Sequence, residues 1–426
     1  MMDRAPRTAS TPVVSPTITP ALLVVLGLLS AVAPFATDLY LPAFPEMTGD
    51  LQTSATSVQL TLTAFLLGVT VGQLVFGPLS DRFGRVAPLV VGAVLCVAAS
   101  ALAVFAPTIG VLIAARLVQG LGGAAGMVIG RAIVSDLATG QAAARAFSLM
   151  MIVGGVAPVV APLVGGLLTS SIGWRGLLAI VLGLAVVMLV ALLVVVRETH
   201  LRARRDALRE ERRGATSTVR ALRSRAFVGY TATFGFAFAA MMGYISASPF
   251  VYQDMIGLDS TGYGMAFGVN ALGLMATSIV SAKLTASRSV RGVLGAGLLG
   301  VTAAAIAFAV LVAVAAPAFL LAIPMFALVA SLGFVLGNST ALALAAVPRA
   351  AGTGSAVLGA LQFGLAAVVS PLVSLGGSTT AAPLAAVLTI TALIAVVFFR
   401  VALPRHAVAE APGPGAHGTR TGTGRA

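Results

Sequence analysis

Twelve long apolar runs are the feature that most limits what this chain of 426 residues can fold into. A helix rises about 1.5 Å per residue, so a run of about 18 residues or more can cross about 30 Å of hydrocarbon. Strands of a membrane barrel would instead alternate over about 10 residues, and no such alternation is visible. We therefore predict an all-α membrane protein in which twelve helices cross the bilayer, at residues 20–43, 57–77, 86–106, 108–130, 146–169, 175–196, 227–250, 261–282, 292–315, 317–340, 353–375 and 381–400.

The low charge content excludes an ordinary soluble enzyme. Asp, Glu, Lys and Arg make up 9% of the chain, whereas soluble domains carry about 25%. Cys96 is the one cysteine, so no internal disulfide can form. The three histidines, His200, His406 and His417, lie outside the apolar runs. We therefore expect neither a metal site nor a cofactor.

The basic residues indicate how the chain crosses the membrane. With the N-terminus inside, 24 of the 26 Lys and Arg residues fall on the inner side. Of the other two, Arg175 lies in an outer loop and Arg116 lies within a run. Cytoplasmic loops of membrane proteins are enriched in Lys and Arg. We predict a multi-pass protein of the cytoplasmic membrane with both termini in the cytoplasm. The net charge of +13 then faces lipid headgroups rather than nucleic acid.

A basic segment divides the chain into two groups of six runs. It holds ten arginines between Arg197 and Arg225, and we interpret it as a cytoplasmic linker. The predicted organisation is a cytoplasmic tail, a six-helix bundle, the linker, a second six-helix bundle and a disordered tail, at residues 1–19, 20–196, 197–226, 227–400 and 401–426.

Asp38 and Arg116 are the two charged residues placed well inside apolar runs. Charges in the bilayer are costly and are functional candidates by default. Both lie in the outer half of the membrane, because Asp38 is about 8 Å from the end of its run and Arg116 about 12 Å. One interpretation is a structural ion pair, and the favoured one is a titrating carboxylate that faces a central cavity. Burial favours the neutral acid and a nearby cation favours the carboxylate, so such a site can couple protons to conformation.

Several uncharged polar side chains also lie in or beside the runs. Each could line a central cavity, or could equally form a hydrogen bond between helices. We name four as candidate cavity residues: Tyr40, Gln119, Asn270 and Gln362.

The loop between the second and third runs carries a specific motif. It resembles G-x-L-x-D-R-x-G-R, the signature loop of the major facilitator superfamily, and departs from it only where Val86 replaces a basic residue. Through this resemblance we predict a cytoplasmic gating loop in which Asp81 approaches the start of the eleventh run, near residues 353–355, and Arg85 pairs with Asp136. The residues assigned to it are Gly77, Asp81, Arg82, Gly84, Arg85 and Asp136.

Three further stretches resemble the same superfamily. Arg116 and Gly120 match its fourth-helix motif. Pro162, Gly165 and Gly166 match the antiporter motif G-P-x-x-G-G, which marks exporters, although Ala161 replaces its first glycine. The segment 37–45, TDLYLPAFP, is similar to the first helix of bicyclomycin/chloramphenicol-resistance (Bcr/CflA) drug:proton antiporters. The resemblance covers most of the N-terminal half, and the C-terminal half matches mainly in hydropathy.

The resemblance implies a monomeric, proton-coupled multidrug efflux transporter that confers antibiotic resistance through alternating access. Its substrates would be small amphiphilic drugs, and Asp38 with Arg116 would couple their export to protons. The alternative is an exporter or importer of one metabolite. A membrane-embedded enzyme would need clustered catalytic side chains, and a sensor would need a soluble effector domain. The sequence displays neither, and it also lacks a P-loop for ATP.

Overall fold

The computed structural model describes residues 19–137, 140–199, 222–347, 351–373, 375 and 380–403. At residue 30, within 140–156 and at 351–352, only the backbone is described. The predicted tails and most of the predicted linker therefore lie outside the described residues, as does Arg349.

The N-terminal half is a bundle of long helices. Several begin at a side chain that accepts a hydrogen bond from a free backbone N–H of the first turn; Ser54, for example, accepts from Ser57. A short 3₁₀ turn, Leu41–Ala43, separates the first two helices. The helices are α1 (Pro20–Asp38), α2 (Phe44–Asp50), α3 (Ala55–Phe83), α4 (Val86–Val104), α5 (Ile109–Leu137) and α6 (Gly140–Val195).

The C-terminal half is built in the same way. Ser224, Asp259 and Ser289 cap the first three of its helices. The first helix continues as a π-helical turn, Phe250–Met255. The helices are α7 (Arg225–Pro249), α8 (Ser260–Leu284), α9 (Val290–Ala313), α10 (Ala322–Leu332), α11 (Leu336–Ala345), α12 (Ala351–Val373) and α13 (Ala382–Ala402).

The predicted all-α membrane fold is confirmed. Among the described residues, eleven helical segments are long and apolar enough to cross a membrane. One of them, Ala157–Val195, contains two of the predicted crossings, because the non-helical backbone of Gly173 (φ 63°) breaks it in the middle. The segment Ala318–Ala345, which includes α10 and α11, forms a single crossing. The structure thus agrees with the twelve predicted crossings.

The first helix ends earlier than predicted, although the segment that is apolar enough to cross the membrane covers Pro20–Asp50. α1 stops at Asp38 rather than near residue 43, and the chain then turns through Leu41–Ala43 into α2. Pro42 and Pro45 lie in this stretch, and proline supplies no N–H for an uninterrupted helix. Asp38 therefore lies at a helix end, beside an irregular backbone segment.

Two helix pairs form the largest contacts between the halves in the described part of the chain. α3 packs against α12, and α6 packs against α8. We call the side with the loop 77–85 the inner side, and the side with residues 39–54 the outer side. The boundary between the halves is therefore lined by α3 and α6 on one side and by α12 and α8 on the other.

Candidate functional site

Arg116 is completely buried inside the N-terminal half. Its Nη2 donates to the carbonyl oxygen of Ala36 on α1 at 2.7 Å, and its Nη1 donates to Oε1 of Gln119 at 2.5 Å. Gln119 in turn donates to Oγ of Ser100 on α4 at 2.6 Å. One buried cation thus connects three helices, α1, α4 and α5.

Two aromatic rings enclose the guanidinium of Arg116. Its Cζ lies 4.5 Å from the ring centroid of Tyr40 and 4.5 Å from that of Phe65. A desolvated cation gains about 2 kcal/mol from such a contact, which offsets part of the cost of burial. Arginine suits this position better than lysine, because its flat guanidinium can bind a carbonyl and also stack on aromatic rings.

Asp38 forms no ion pair with Arg116 among the described residues. It is 3% exposed at the end of α1, and none of the ion pairs found in the described part of the chain includes it. Arg116 binds the carbonyl of Ala36 instead of the Asp38 carboxylate. The two tyrosines on which Asp38 acts electrostatically, Tyr244 and Tyr263, belong to α7 and α8. The structure thus places this carboxyl group toward the C-terminal half.

The C-terminal half presents a buried polar cluster without charge. Nδ2 of Asn270 donates to the hydroxyl oxygens of Tyr244 and Tyr252, at 2.7 and 3.0 Å. The hydroxyls of Tyr263 and Ser248 lie 3.0 Å apart. We call these five residues the tyrosine cluster. It provides hydroxyl and amide groups, together with ring faces, opposite Asp38.

The four predicted cavity residues have different surroundings. Tyr40 is buried and its hydroxyl lies 2.9 Å from Oγ1 of Thr61, so its polar end is bonded within the N-terminal half. Gln119 is likewise bonded to Arg116 and Ser100. Asn270 organises the tyrosine cluster, whereas Gln362 is half-buried on α12. The structure brings Asn270 near Asp38 through the tyrosines.

Contacts at the outer side hold the two halves together. Nε2 of Gln253, just after α7, donates to the carbonyl oxygen of Pro42 at 3.0 Å. The rings of Phe44 and Phe250 are 6.1 Å apart across the same boundary. In this conformation, contacts between the two halves therefore close the outer end of the boundary beside Asp38.

The predicted antiporter motif lies at two tight contacts. A side chain at Gly165 would collide with the carbonyl oxygen of Leu39, the residue that follows Asp38. A side chain at Gly166 would collide with the backbone of α8 at Ser260 and Gly264, and Gly264 faces the Pro162 carbonyl in return. These residues thus bring α6 against both the Asp38 segment and the other half.

The predicted gating loop forms an ionic network on the inner side. Nε of Arg85 donates to Oδ2 of Asp136 at 2.8 Å, and Nη1 donates to Oδ1 of Asp81 at 2.7 Å. Nη1 also donates to Ser80 at 2.9 Å. Burial alone would lower the pKa of Arg85, but these hydrogen bonds and the two negative charges raise the pKa above its usual value. Arg85 is therefore a permanent cation that joins α3 to α5.

The remaining loop residues surround this network. Gly84 has φ +97°, a conformation that glycine adopts without strain. Gly77 packs near Val128 of α5, and Arg82 lies over the ring of Phe83 with its Cζ 5.2 Å from the centroid. The approach of Asp81 to residues 353–355 stays a prediction.

Sequence reasoning missed several residues of these sites. The sequence did not predict Phe65, Thr61 or the tyrosines and Ser248 of the tyrosine cluster, because aromatic and hydroxyl residues are common in apolar helices. Glu198 was not among the predicted residues, yet its carboxylate binds the inner loop. Its position directly after a span, as an acid within a strongly basic segment, was the available signal.

Comparison with known proteins agrees with the fold and these motifs. Residues 26–371 match the profile of the Major Facilitator Superfamily. The chain is 35% identical to the uncharacterized MFS-type transporter YdgK of Bacillus subtilis, over 88% of this chain and 93% of that protein. It is 28% identical to the bicyclomycin resistance protein homolog of Haemophilus influenzae, over 85% and 91% of the two chains.

A solved structure shares the fold. The xylose transporter XylE from E. coli, in a partially occluded inward-open conformation, superposes with a TM-score of 0.71 at 15% identity, over 90% of this chain and 97% of that one.

The helical bundles, the buried polar groups and these matches define a multi-pass membrane transporter. The chain belongs to the Major Facilitator Superfamily. The predicted superfamily is thereby confirmed, and the relative named after bicyclomycin resistance supports the predicted Bcr/CflA type.

Proposed function

We propose that this protein exports small amphiphilic drug-like molecules in exchange for protons. The observation that carries the proposal is the position of Asp38, a buried carboxyl group without a cationic partner in the described structure, which faces an uncharged cluster in the other half. The matching antiporter motif and the similarity to a bicyclomycin resistance homolog support export of drugs.

The proposed cycle uses the charge of Asp38 as its switch. An outward-facing carrier takes a proton onto Asp38, which removes a negative charge from the boundary between the halves. The neutral site can then close and reopen inward, because desolvating a neutral acid costs far less than desolvating a carboxylate. After the proton leaves to the cytoplasm, substrate binds and the carrier returns. The halves rock about the site.

Arg116 has a supporting role in this cycle. Its hydrogen bond to the Ala36 carbonyl and its contact with the Tyr40 ring flank Asp38 on both sides along the chain. The buried cation therefore fixes the backbone that carries the carboxyl group without neutralising it directly. We propose that this arrangement leaves Asp38 free to gain and lose a proton.

The tyrosine cluster indicates what kind of substrate fits. Ring faces favour flat or apolar groups, and the hydroxyl and amide groups offer a few hydrogen bonds. Such a surface accepts varied amphiphilic molecules, because it imposes few fixed charges. We propose that Asn270 and Gln362 contact substrate, whereas Tyr40 and Gln119 position the proton site.

We further propose the arrangement of the protein in the cell. The basic inner side faces the cytoplasm, both termini are cytoplasmic, and the protein acts as a monomer in the inner membrane. The two six-helix bundles, 20–196 and 227–400, are the rocking units, and the segment 197–226 links them.

Direction of transport tests this proposal. We would express the protein in drug-sensitive bacteria and follow intracellular accumulation of a fluorescent amphiphilic drug. Export predicts lower accumulation than in control cells, and the difference should vanish when a protonophore collapses the gradient. Energised uptake of a metabolite, together with unchanged drug accumulation, would establish the importer alternative instead.

A further inference from the structure

The carboxylate of Glu198 binds the inner loop at two points. Its Oε1 accepts a hydrogen bond from the backbone N–H of Arg85 at 2.9 Å, and its Oε2 accepts from that of Val86 at 3.2 Å. These N–H groups lie at the start of α4, where no intrahelical partner is available. Glu198 thus caps α4 from a distance of more than one hundred residues along the chain.

Thr199, the next residue, also binds the inner side of the N-terminal half. Oγ1 of Thr199 donates to Oδ2 of Asp136 at 3.3 Å, and this carboxylate oxygen also accepts from Nε of Arg85. The chain that leaves α6 therefore touches both the backbone and the acidic partner of Arg85. The first residues of the predicted linker belong structurally to the gating loop.

The conformation of Gly84 matches this contact. With φ +97° it turns the chain sharply between α3 and α4, so that the two N–H groups point at Glu198. A Cβ atom at this position would lie 2.5 Å from Oε2 of Glu198. A glycine is therefore required both for the turn and for the approach of the carboxylate.

We infer that Glu198 is a positioning residue for the cytoplasmic gate. Its two backbone hydrogen bonds, to Arg85 and Val86, hold it to the N-terminal half. It fixes the orientation of the loop from which Arg85 holds Asp81, the residue proposed to meet the C-terminal half. Displacement of Glu198, for instance through movement of the linker, would loosen the gate. The link to turnover rests on the proposed function.

The outer side offers a matched control. Gly173, with φ +63°, also precedes a helix, and a Cβ atom there would lie 3.0 Å from Oε1 of Glu46. The Glu46 carboxylate also lies beside the backbone of Trp174, the residue after Gly173. Both glutamates therefore lie beside a positive-φ glycine at a helix start within the same half, but on opposite sides of the membrane.

The test measures the gate directly. Spin labels at Val91 and Leu284, one on the inner part of each half, report the separation of the inner ends in a Cys96→Ala background. We expect Glu198→Gln to raise the ratio of inward-open to inward-closed molecules about tenfold, because a neutral amide oxygen replaces a charge-assisted acceptor. Glu198→Asp should restore part of the closed population, and Glu46→Gln should leave the distribution unchanged.

Further readouts separate the possible failures. Drug turnover should fall in Glu198→Gln with little change in KM, and Asp81→Asn should add little to that loss. If Glu198→Gln does not fold, Thr199→Val should still shift the distances in the same direction. Distances that match the wild type, or that move equally in Glu46→Gln, would overturn the inference. A shift in Glu198→Gln without any drug transport by the wild type would instead refute the proposed function alone.

Discussion

The two halves of the molecule bury different kinds of polar groups. The N-terminal half buries charged side chains, namely Asp38 and Arg116 in the membrane and Arg85 at the inner side. In the described part of the C-terminal half, the buried polar residues are Asn270 and several serines and threonines, with tyrosine hydroxyls among them. Among the described residues, buried charge is therefore confined to the N-terminal half, whereas buried hydrogen-bonding groups occur in both halves.

This difference suggests that the two halves have different functions in transport. A buried charge costs several kcal/mol unless it is neutralised or paired, so its protonation can change which conformation is stable. Hydroxyl and amide groups cannot exert such an effect near neutral pH, but they can bind many substrates. We therefore assign proton coupling to the N-terminal half and substrate accommodation mainly to the C-terminal half.

The largest effect is expected from Asp38→Asn. The amide cannot take part in proton exchange, so drug accumulation in cells should rise to the level of cells without the protein. Asp50→Asn is the matched control, since Asp50 lies on the same segment at the outer surface and binds Trp174. Equal loss of drug efflux in both variants, or full efflux by Asp38→Asn, would contradict the assignment of proton coupling to Asp38 in the N-terminal half.

Arg116→Lys should have the next largest effect. Lysine keeps the charge, but it cannot bind the Ala36 carbonyl and Gln119 and at the same time stack on the rings of Tyr40 and Phe65. We expect turnover to fall by at least about tenfold and thermal stability to decrease. A variant with wild-type turnover would show that the charge alone is sufficient, and that the fixed geometry is irrelevant.

Gly165→Leu tests the contact between α6 and the Asp38 segment. The leucine side chain would collide with the Leu39 carbonyl, so it must separate α6 from α1. We predict uncoupled or much slower transport by protein that still inserts into the membrane. Gly183→Leu, farther along α6 with open space around it, is the control and should transport normally.

Asn270→Ala should produce the smallest effect. It removes the donor shared by Tyr244 and Tyr252, which changes the binding surface without touching Asp38. KM should change by about threefold to tenfold, to a different extent for each drug, and the number of protons moved per drug should stay the same. A change in that number would place part of the coupling machinery in the C-terminal half.

Hydropathy was sufficient to predict the helical membrane fold and the number of crossings. Local sequence is enough for this prediction, because each helix must form its own backbone hydrogen bonds in lipid. The loop motif likewise placed Asp81, Arg85 and Asp136 in one group, and the structure has Arg85 within 2.8 Å of Asp136. Helix ends were predicted less well: α1 stops at Asp38, where Pro42 and Pro45 change the course of the chain, and α3 runs on to Phe83.

The details of the site depend on contacts between distant segments. The sequence suggested that Asp38 and Arg116 could pair, since both lie at similar depth. Depth says nothing about which way a side chain points around its helix, and Arg116 binds the Ala36 carbonyl instead. The tyrosine cluster and the cap formed by Glu198 also could not be predicted from the sequence, because their residues become neighbours only when the helices pack.

Proton movement in reconstituted vesicles tests the central claim most directly. Vesicles containing purified protein would be loaded with drug and a pH-sensitive dye, with no imposed pH gradient. For the wild type, we predict that drug leaving the vesicle draws protons in, so the interior becomes acidic. Asp38→Asn should release drug down its gradient without acidification. Equal acidification by Asp38→Asn and the wild type would contradict the account.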